Sequence, residues 1–129
     1  MTLFSGNIAT GHDANSNDPD TCSVMNNGQN EVGSGGNGGA IYSDGNSVNV
    51  LLCGDMVLNN AAGTKAFGGG LFFTSNDFGG TLTIVDTTMT GNTGGHWTQV
   101  MTGSTKDAGT AVGTNTKSLT IKTSTLQGL

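Results

Sequence analysis

Apolar and polar residues alternate in three segments of this chain, and the segments match one another. Residues 48–60 align with residues 80–92 at an offset of 32, and residues 117–129 follow at a further offset of 37. Within each segment, two apolar residues lie two positions apart, which is the spacing of side chains on one face of a β-strand. The pattern therefore predicts a repeat built from strands that turn one face inward.

Three columns of apolar residues keep register through the copies and form the predicted core. The third column follows the second at a distance of five residues, and the segment at 3–9 contributes only to this third column. Because five is odd, a straight strand would turn the third column to the opposite face, so we expect a bend between the columns. The columns are Val50, Leu82 and Leu119; Leu52, Ile84 and Ile121; and Phe4, Val57, Met89 and Leu126.

Glycine-rich segments introduce a further strand ahead of each copy. Gly38-Gly39 opens the apolar segment that ends at Ser43, and Gly68-Gly69-Gly70 opens an equivalent segment 30 residues later. A third, degraded copy is expected at 111–114. Each repeat thus contains a Gly-Gly strand, a Thr/Val strand and a short strand that ends at an asparagine.

This organisation predicts an all-β fold, a right-handed parallel β-helix (solenoid) of about three to four turns. The chain is interpreted as a single domain over 1–129, with long loop insertions at 10–37 and 94–109. A solenoid fills a thin core one turn at a time, which suits a chain with only 33% hydrophobic residues.

Asparagines recur at the end of the short strand. Asn7, Asn60 and Asn92 occupy equivalent turn positions in the alignment. Asparagine tolerates left-handed backbone angles, and stacked asparagine side chains can hydrogen-bond along a solenoid. We therefore expect a structural asparagine ladder at these positions.

Two pairs of segments resemble the repeats of a known group of surface proteins. "SGNIA…GGAIYS" and "LNNAA…GGGLFF" resemble the GGAI and F-x-x-N repeats of polymorphic outer-membrane proteins and autotransporter-type passenger domains. The resemblance covers most of the chain outside the two insertions. It implies a right-handed β-helix that is displayed outside the cell, often in adhesion.

Composition narrows the classes of partner. The chain carries a net charge of −5, no Arg and four scattered Lys, so it lacks the basic stripe that nucleic-acid binding requires. It also contains no apolar run of the ~20 residues that span a membrane. Low charge with abundant Gly, Asn and Thr indicates a secreted or cell-surface protein. Because Met1–Phe4 lacks the features of a signal peptide, the sequence is interpreted as a mature region or a piece of a longer polypeptide.

The two cysteines, Cys22 and Cys53, permit one disulfide, and two unpaired thiols are the alternative. No cofactor is predicted apart from a candidate calcium ion. Oxygen donors at alternate positions resemble the front half of a calcium loop, although the loop's glycine and distal glutamate are missing. A solvated turn rich in Asp and Asn is the alternative. The candidate ligands are Asp13, Asn15, Asn17, Asp18 and Asp20.

Enzymatic activity is left open, and the sequence favours its absence. A glycosidase needs two carboxyl groups about 5 to 9.5 Å apart, and Asp55 and Asp86 lie at nearly corresponding positions of adjacent copies. His96 and Trp97 are candidate ligand contacts, because an indole ring can stack on a sugar and an imidazole titrates near neutral pH. Trp97 packed over the core beneath its own loop is the alternative.

Threonines on the outward positions raise a further possibility, because a regular threonine array on a β-helix can order water as in ice. Asn49, Leu51, Asp86 and Lys122 interrupt that array, and strand propensity alone accounts for the threonines. They are Thr81, Thr83, Thr87, Thr88, Thr90, Thr116, Thr120, Thr123 and Thr125.

The predicted function is an extracellular structural or adhesive β-helix, which self-assembles head-to-tail into filaments or binds a glycan or protein of a host or cell surface. A carbohydrate-binding or carbohydrate-active β-helix is the alternative, and an ice-binding β-helix is the second alternative.

Overall fold

The computed structural model describes residues 1–9, 37–63, 68–75, 77–94, 100–102 and 117–127. These residues contain ten β-strands and no helix. The strands are β1 (Leu3–Ser5), β2 (Ile41–Gly45), β3 (Asn49–Cys53), β4 (Met56–Leu58), β5 (Leu71–Ser75), β6 (Thr81–Val85), β7 (Thr88–Thr90), β8 (Val100–Thr102), β9 (Ser118–Lys122) and β10 (Thr125–Leu126).

The strands form three sheets in which every pair is parallel. Sheet I has the order β1-β4-β7-β10, sheet II the order β2-β5-β8 and sheet III the order β3-β6-β9. Each strand therefore pairs with the third strand after it, and the chain visits sheets II, III and I in a repeating order. We refer to β2–β4, β5–β7 and β8–β10 as the first, second and third repeats, with β1 ahead of them in sheet I. The predicted all-β class with parallel strands is confirmed.

Strand pairing brings the members of each predicted apolar column together. Phe4 pairs with Val57, Val57 with Met89, and Met89 with Leu126. In sheet III the pairing is Val50–Leu82–Leu119 and Leu52–Ile84–Ile121. A register shift of one residue would turn each of these side chains to the opposite face, so burial of one face holds the register.

The chain bends between sheets III and I, as the odd spacing of the apolar columns predicts. The residue directly after β3, β6 and β9 is left-handed in each repeat: Gly54 at φ 68°, Asp86 at φ 49° and Thr123 at φ 45°. This backbone conformation breaks the extended strand, and the second strand of each pair begins two residues later.

The core is most deeply buried in the second repeat. Leu82, Ile84 and Met89 are 0% exposed, and Leu71 and Phe73 of β5 pack in the same cluster. Burial declines toward the outer strands, where the side chains have a repeat on one side only. Phe4, Leu119 and Leu126 are partly buried against the cluster, and the outermost isoleucine of its column, Ile121, is 40% exposed.

Strand β5 is buried on both faces. Leu71 and Phe73 belong to the core cluster, so Phe72 between them lies on the opposite face, yet it is also 0% exposed. The ring of Tyr42 stacks on that of Phe72 with centroids 5.4 Å apart and planes at 13°. Thr74 shares this face, and its buried hydroxyl has no hydrogen-bond partner among the described residues. The outward face of sheet II at β5 is therefore covered.

The strand that continues sheet II differs from the expectation. Strand β8 at 100–102 pairs with β5, with Val100 opposite Leu71. It lies inside the segment 94–109 that the sequence suggested as a loop, while the expected copy at 111–114 lies outside the described residues. No glycine pair directly precedes Val100, so the marker used to place the other two copies is missing here.

Candidate functional site: polar ladders at the corners

A ladder of asparagine side chains runs from repeat to repeat at the end of the sheet I strands. The side-chain Nδ2 of Asn7 donates to Oδ1 of Asn60 at 2.8 Å, and Nδ2 of Asn60 donates to Oδ1 of Asn92 at 2.8 Å. The same oxygens accept the backbone N–H of the preceding asparagine, at 2.9 and 3.0 Å. Asn60 and Asn92 are 1% and 3% exposed, so the ladder satisfies buried polar groups.

The ladder also reaches the strand backbone. Nδ2 of Asn60 donates to the carbonyl of Phe4 at 3.2 Å, and Nδ2 of Asn92 donates to the carbonyl of Val57 at 2.8 Å. The left-handed residue is the one before each ladder asparagine: Gly6, Asn59 and Gly91. The tolerance of asparagine for positive φ therefore applies to Asn59, whereas the ladder asparagines serve through their carboxamides.

A second polar ladder, which the sequence did not predict, lies at the bend between sheets III and I. Here the side chain of one repeat accepts the backbone N–H of the preceding one. Asp55 Oδ1 accepts from Thr2 at 2.8 Å, Thr87 Oγ1 accepts from Asp55 at 3.4 Å, and Ser124 Oγ accepts from Thr87 at 3.1 Å. The signal was a short polar residue in one column of the alignment. We call this set the corner ladder.

The hydrogen bonds of the corner ladder stabilise Asp55 in its ionised, carboxylate form. The N–H of Thr2 on Oδ1 is the main reason that its pKa is lowered, and the N–H of Cys53 donates to Oδ2 at 3.0 Å and acts in the same direction. A glycosidase general acid needs a raised pKa so that it keeps a proton to donate. The surroundings of Asp55 do the opposite.

The pairing register separates the roles of the two acidic residues proposed as a catalytic pair. Cys53 pairs with Val85 and Met56 pairs with Thr88, so the two residues between them also correspond in the two repeats. Gly54 therefore lies opposite Asp86, and Asp55 lies opposite Thr87. The Asp86 carboxylate accepts a hydrogen bond from the hydroxyl of Thr123 in the next repeat. Each of the two carboxylates thus stabilises its own corner.

A third acidic residue, Asp77, organises the corner between sheets II and III. Its Oδ1 accepts from the N–H of Ser47 at 2.8 Å, the hydroxyl of Ser75 at 2.8 Å and the N–H of Gly79 at 2.9 Å. Its Oδ2 accepts from the hydroxyl of Ser47. That hydroxyl is the largest cause of the strongly lowered pKa of Asp77, followed by the Gly79 N–H. Asp77 therefore ties the corners of the first and second repeats together as a carboxylate.

The outward columns of sheet III change in residue type from repeat to repeat. Asn49 pairs with Thr81, which pairs in turn with Ser118, and Leu51 pairs with Thr83, which pairs in turn with Thr120. Thr81 Oγ1 donates to Asn49 Oδ1 at 2.7 Å. The described part of this face therefore mixes threonine with an asparagine, a serine and an exposed leucine.

Several predicted site residues lie outside the described residues: Asp13, Asn15, Asn17, Asp18, Asp20, Cys22, His96 and Trp97. Cys53, the predicted partner of Cys22, is exposed at the end of β3, and the disulfide stays a prediction. Among the residues that are described, no group of three or more His, Cys, Asp or Glu side chains is placed to hold a metal ion. The calcium site likewise stays a prediction.

No helix in the described part of the chain is long and apolar enough to cross a membrane. Comparison of the chain with protein-family models, curated proteins and solved structures gives no match.

Proposed function

We propose that this chain is a right-handed parallel β-helix that serves outside the cell as a structural or adhesive scaffold. The observation that carries the proposal is the repeated visit to three parallel sheets, in register, with a polar ladder at two of the corners. In a solenoid, each repeat contacts only its neighbours, so such repeat-to-repeat ladders hold the whole length together.

The acidic residues support a structural role over a catalytic one. Asp77 and Asp86 each accept hydrogen bonds that join two repeats, and Asp55 accepts one that joins the segment before β1 to the first repeat. The hydrogen bonds to Asp55 and Asp77 lower the pKa of these two carboxyl groups, which makes them poorly suited to donate a proton to a substrate. The proposed mechanism is therefore backbone pairing and surface contact, without covalent chemistry.

An adhesion assay with a catalytic control tests the proposal. Beads coated with the folded chain should attach to cells or immobilised surface glycoproteins more than beads coated with albumin. The same protein should release no reducing ends from a panel of neutral and acidic polysaccharides. The double variant Asp55→Asn, Asp86→Asn is the matched control, because it keeps oxygen acceptors at both corners and should attach as the wild type does.

One outcome would contradict the proposal, and a second would reduce it to a structural role. Release of reducing ends that disappears in the double variant would assign the two carboxylates to catalysis. Attachment no better than that of albumin-coated beads would remove the adhesive role.

A further inference from the structure

Phe78 combines an exposed ring with a strained backbone. Its φ is 60°, and its side chain is 56% exposed. A bulky residue is an outlier in this left-handed region because its Cβ crowds the backbone, whereas glycine adopts the region without that cost. In the described part of the chain, the other non-glycine residues at positive φ are small or polar: Ser47, Asn59, Asp86 and Thr123. The conformation of Phe78 therefore requires an explanation other than local stability.

The corner that carries Phe78 is two residues longer than its counterpart in the first repeat. Gly45 pairs with Ser75 and Asn49 pairs with Thr81, so residues 46–48 of the first repeat correspond to residues 76–80 of the second. The first repeat connects sheets II and III without the two additional residues. The longer turn at Phe78 is therefore not required for the connection itself.

Hydrogen bonds and close packing fix this turn. The Phe78 N–H donates to the carbonyl of Ser75 at 2.9 Å. Directly before Phe78, Asp77 accepts four hydrogen bonds, two of them from Ser47 of the first repeat. Directly after it, a Cβ on Gly79 would lie 2.5 Å from Oγ of Ser47, so the backbone fits closely against the first repeat. The ring is thus attached to an ordered backbone, which reduces the conformational entropy that binding would cost.

The polar groups of this corner already bind one another, which favours an apolar partner for the ring. Both oxygens of Asp77 accept hydrogen bonds, and the Ser47 hydroxyl donates to one of them. The Ser75 hydroxyl donates to Asp77 Oδ1 and accepts the N–H of Gly80, each at 2.8 Å. A sugar stacked on an aromatic ring also needs polar groups that bind its hydroxyls. An apolar pocket of a protein needs only the ring.

We propose that Phe78 is an anchor that inserts into an apolar pocket of a partner protein, and that the left-handed turn is retained because it presents the ring. This inference rests on the adhesive role proposed above and names the chemistry of the partner. Aromatic residues are enriched at protein interfaces, where a few anchors in pockets contribute most of the binding energy. The strain at Phe78 agrees with this role, because strained residues cluster where proteins contact ligands.

The substitution Phe78→Gly in the full chain tests the anchor through attachment and stability together. Beads coated with this variant should attach about tenfold less than wild-type beads to immobilised membrane glycoproteins from epithelial cells, as for truncation of a hot-spot residue. Glycine relieves the strain at this φ, so the melting temperature of the variant should equal or exceed that of the wild type. A residue with a purely structural role would instead lose stability when its ring is removed.

Two control variants and two treatments of the glycoprotein layer complete the experiment. Phe78→Ala removes the ring but keeps a Cβ at the strained position, so it should attach as weakly as Phe78→Gly. Leu51→Ala removes a side chain of similar exposure, 64%, from the outward face of sheet III, and it should attach as the wild type does. Heat denaturation of the glycoproteins should abolish wild-type attachment, whereas mild periodate oxidation of their glycans should leave it unchanged.

Three results would overturn the inference while the adhesive role stands. Undiminished attachment of Phe78→Gly would show that the ring makes no contact with the partner. A melting temperature of Phe78→Gly below that of the wild type would show that the ring packs within the chain. Attachment that is lost after periodate oxidation and survives heating would assign the contact to a glycan. Wild-type attachment no better than that of albumin-coated beads would instead remove the adhesive role, and this inference with it.

Discussion

Asn60 and Asn92, 32 positions apart in the sequence, share a buried hydrogen-bonding unit in which one oxygen of Asn92 accepts both the backbone N–H and the side-chain Nδ2 of Asn60. Because only the oxygen of the Asn92 carboxamide is used in these two bonds, its Nδ2 donates to the carbonyl of Val57. Each carboxamide therefore satisfies groups that parallel strands alone would leave unpaired at the end of the sheet.

Loss of this unit should strongly destabilise the fold. Asn92→Ala leaves the N–H of the buried Asn60 without its acceptor, at about 1–3 kcal/mol, and also removes the hydrogen bonds of Asn92 with Asn60 Nδ2 and with the Val57 carbonyl. We expect the free energy of unfolding to fall by about 3 kcal/mol in urea titrations followed by circular dichroism. Asn7→Ala, at the exposed end of the ladder, should cost under about 1 kcal/mol. Equal losses in the two variants would contradict the ladder.

Adjacent leucines on opposite faces of β3 test the assignment of the core face. Leu52 is 5% exposed and Leu51 is 64% exposed. Leu52→Ala should lower the free energy of unfolding by about 2–5 kcal/mol, as for other buried leucines. Leu51→Ala should change it by less than about 0.5 kcal/mol, as for other surface substitutions. The reverse order in urea titration would mean that β3 is shifted by one residue.

Alanine substitutions at two glycines with positive φ distinguish the cost of backbone strain from the cost of a steric overlap. Gly91 and Gly6 have φ of 66° and 68°, and a Cβ costs about 1–2 kcal/mol in this conformation. At Gly91 the new Cβ would also overlap Oδ1 of Asn59, whereas at Gly6 it would meet no atom of the described residues within 4 Å. Gly91→Ala should therefore lower the melting temperature clearly more than Gly6→Ala. Equal shifts of the melting temperature in differential scanning calorimetry would show that the Asn59 side chain moves away from the new Cβ without a cost in stability.

The corner at Asp77 should make stability depend on acidic pH. Its pKa is lowered in the folded state, so its contribution to stability is present above the unfolded pKa of about 3.9 and is lost as the pH falls through the lower, folded value. The difference in melting temperature between the wild type and Asp77→Asn should be largest at neutral pH. It should shrink as the pH drops below about 4.

Ser47→Ala is the matched variant for this titration, because it keeps the carboxylate and removes the hydroxyl that lowers its pKa most. Its pH profile should lie between those of the wild type and Asp77→Asn. Parallel profiles for all three proteins would show that Asp77 does not link stability to pH.

The apolar columns and the bend between them could be predicted because both depend on local spacing. The interval of two between Val50 and Leu52 sets the inward face, and the odd interval to Val57 requires a break in the strand. Where the same residue type recurred, as in the asparagine ladder, the alignment also identified which side chains would meet.

The corner ladder and the Asp77 corner could not be predicted in the same way, because their members change in chemistry. Asp55, Thr87 and Ser124 share a role through one oxygen acceptor, which an alignment by residue type does not detect. Strand β8 was not predicted for a related reason: the marker of the other repeats is a glycine pair directly before the strand, and no such pair directly precedes Val100.

By itself the sequence determined the strand period, the inward columns and the parallel register, since burying apolar residues at fixed spacing allows one arrangement of faces. Only the tertiary structure decided which polar atoms satisfy the corners and that Phe72 is buried on the outward face of β5. Those features depend on contacts between residues 30 or more positions apart, where geometry, and not local pattern, selects the partner.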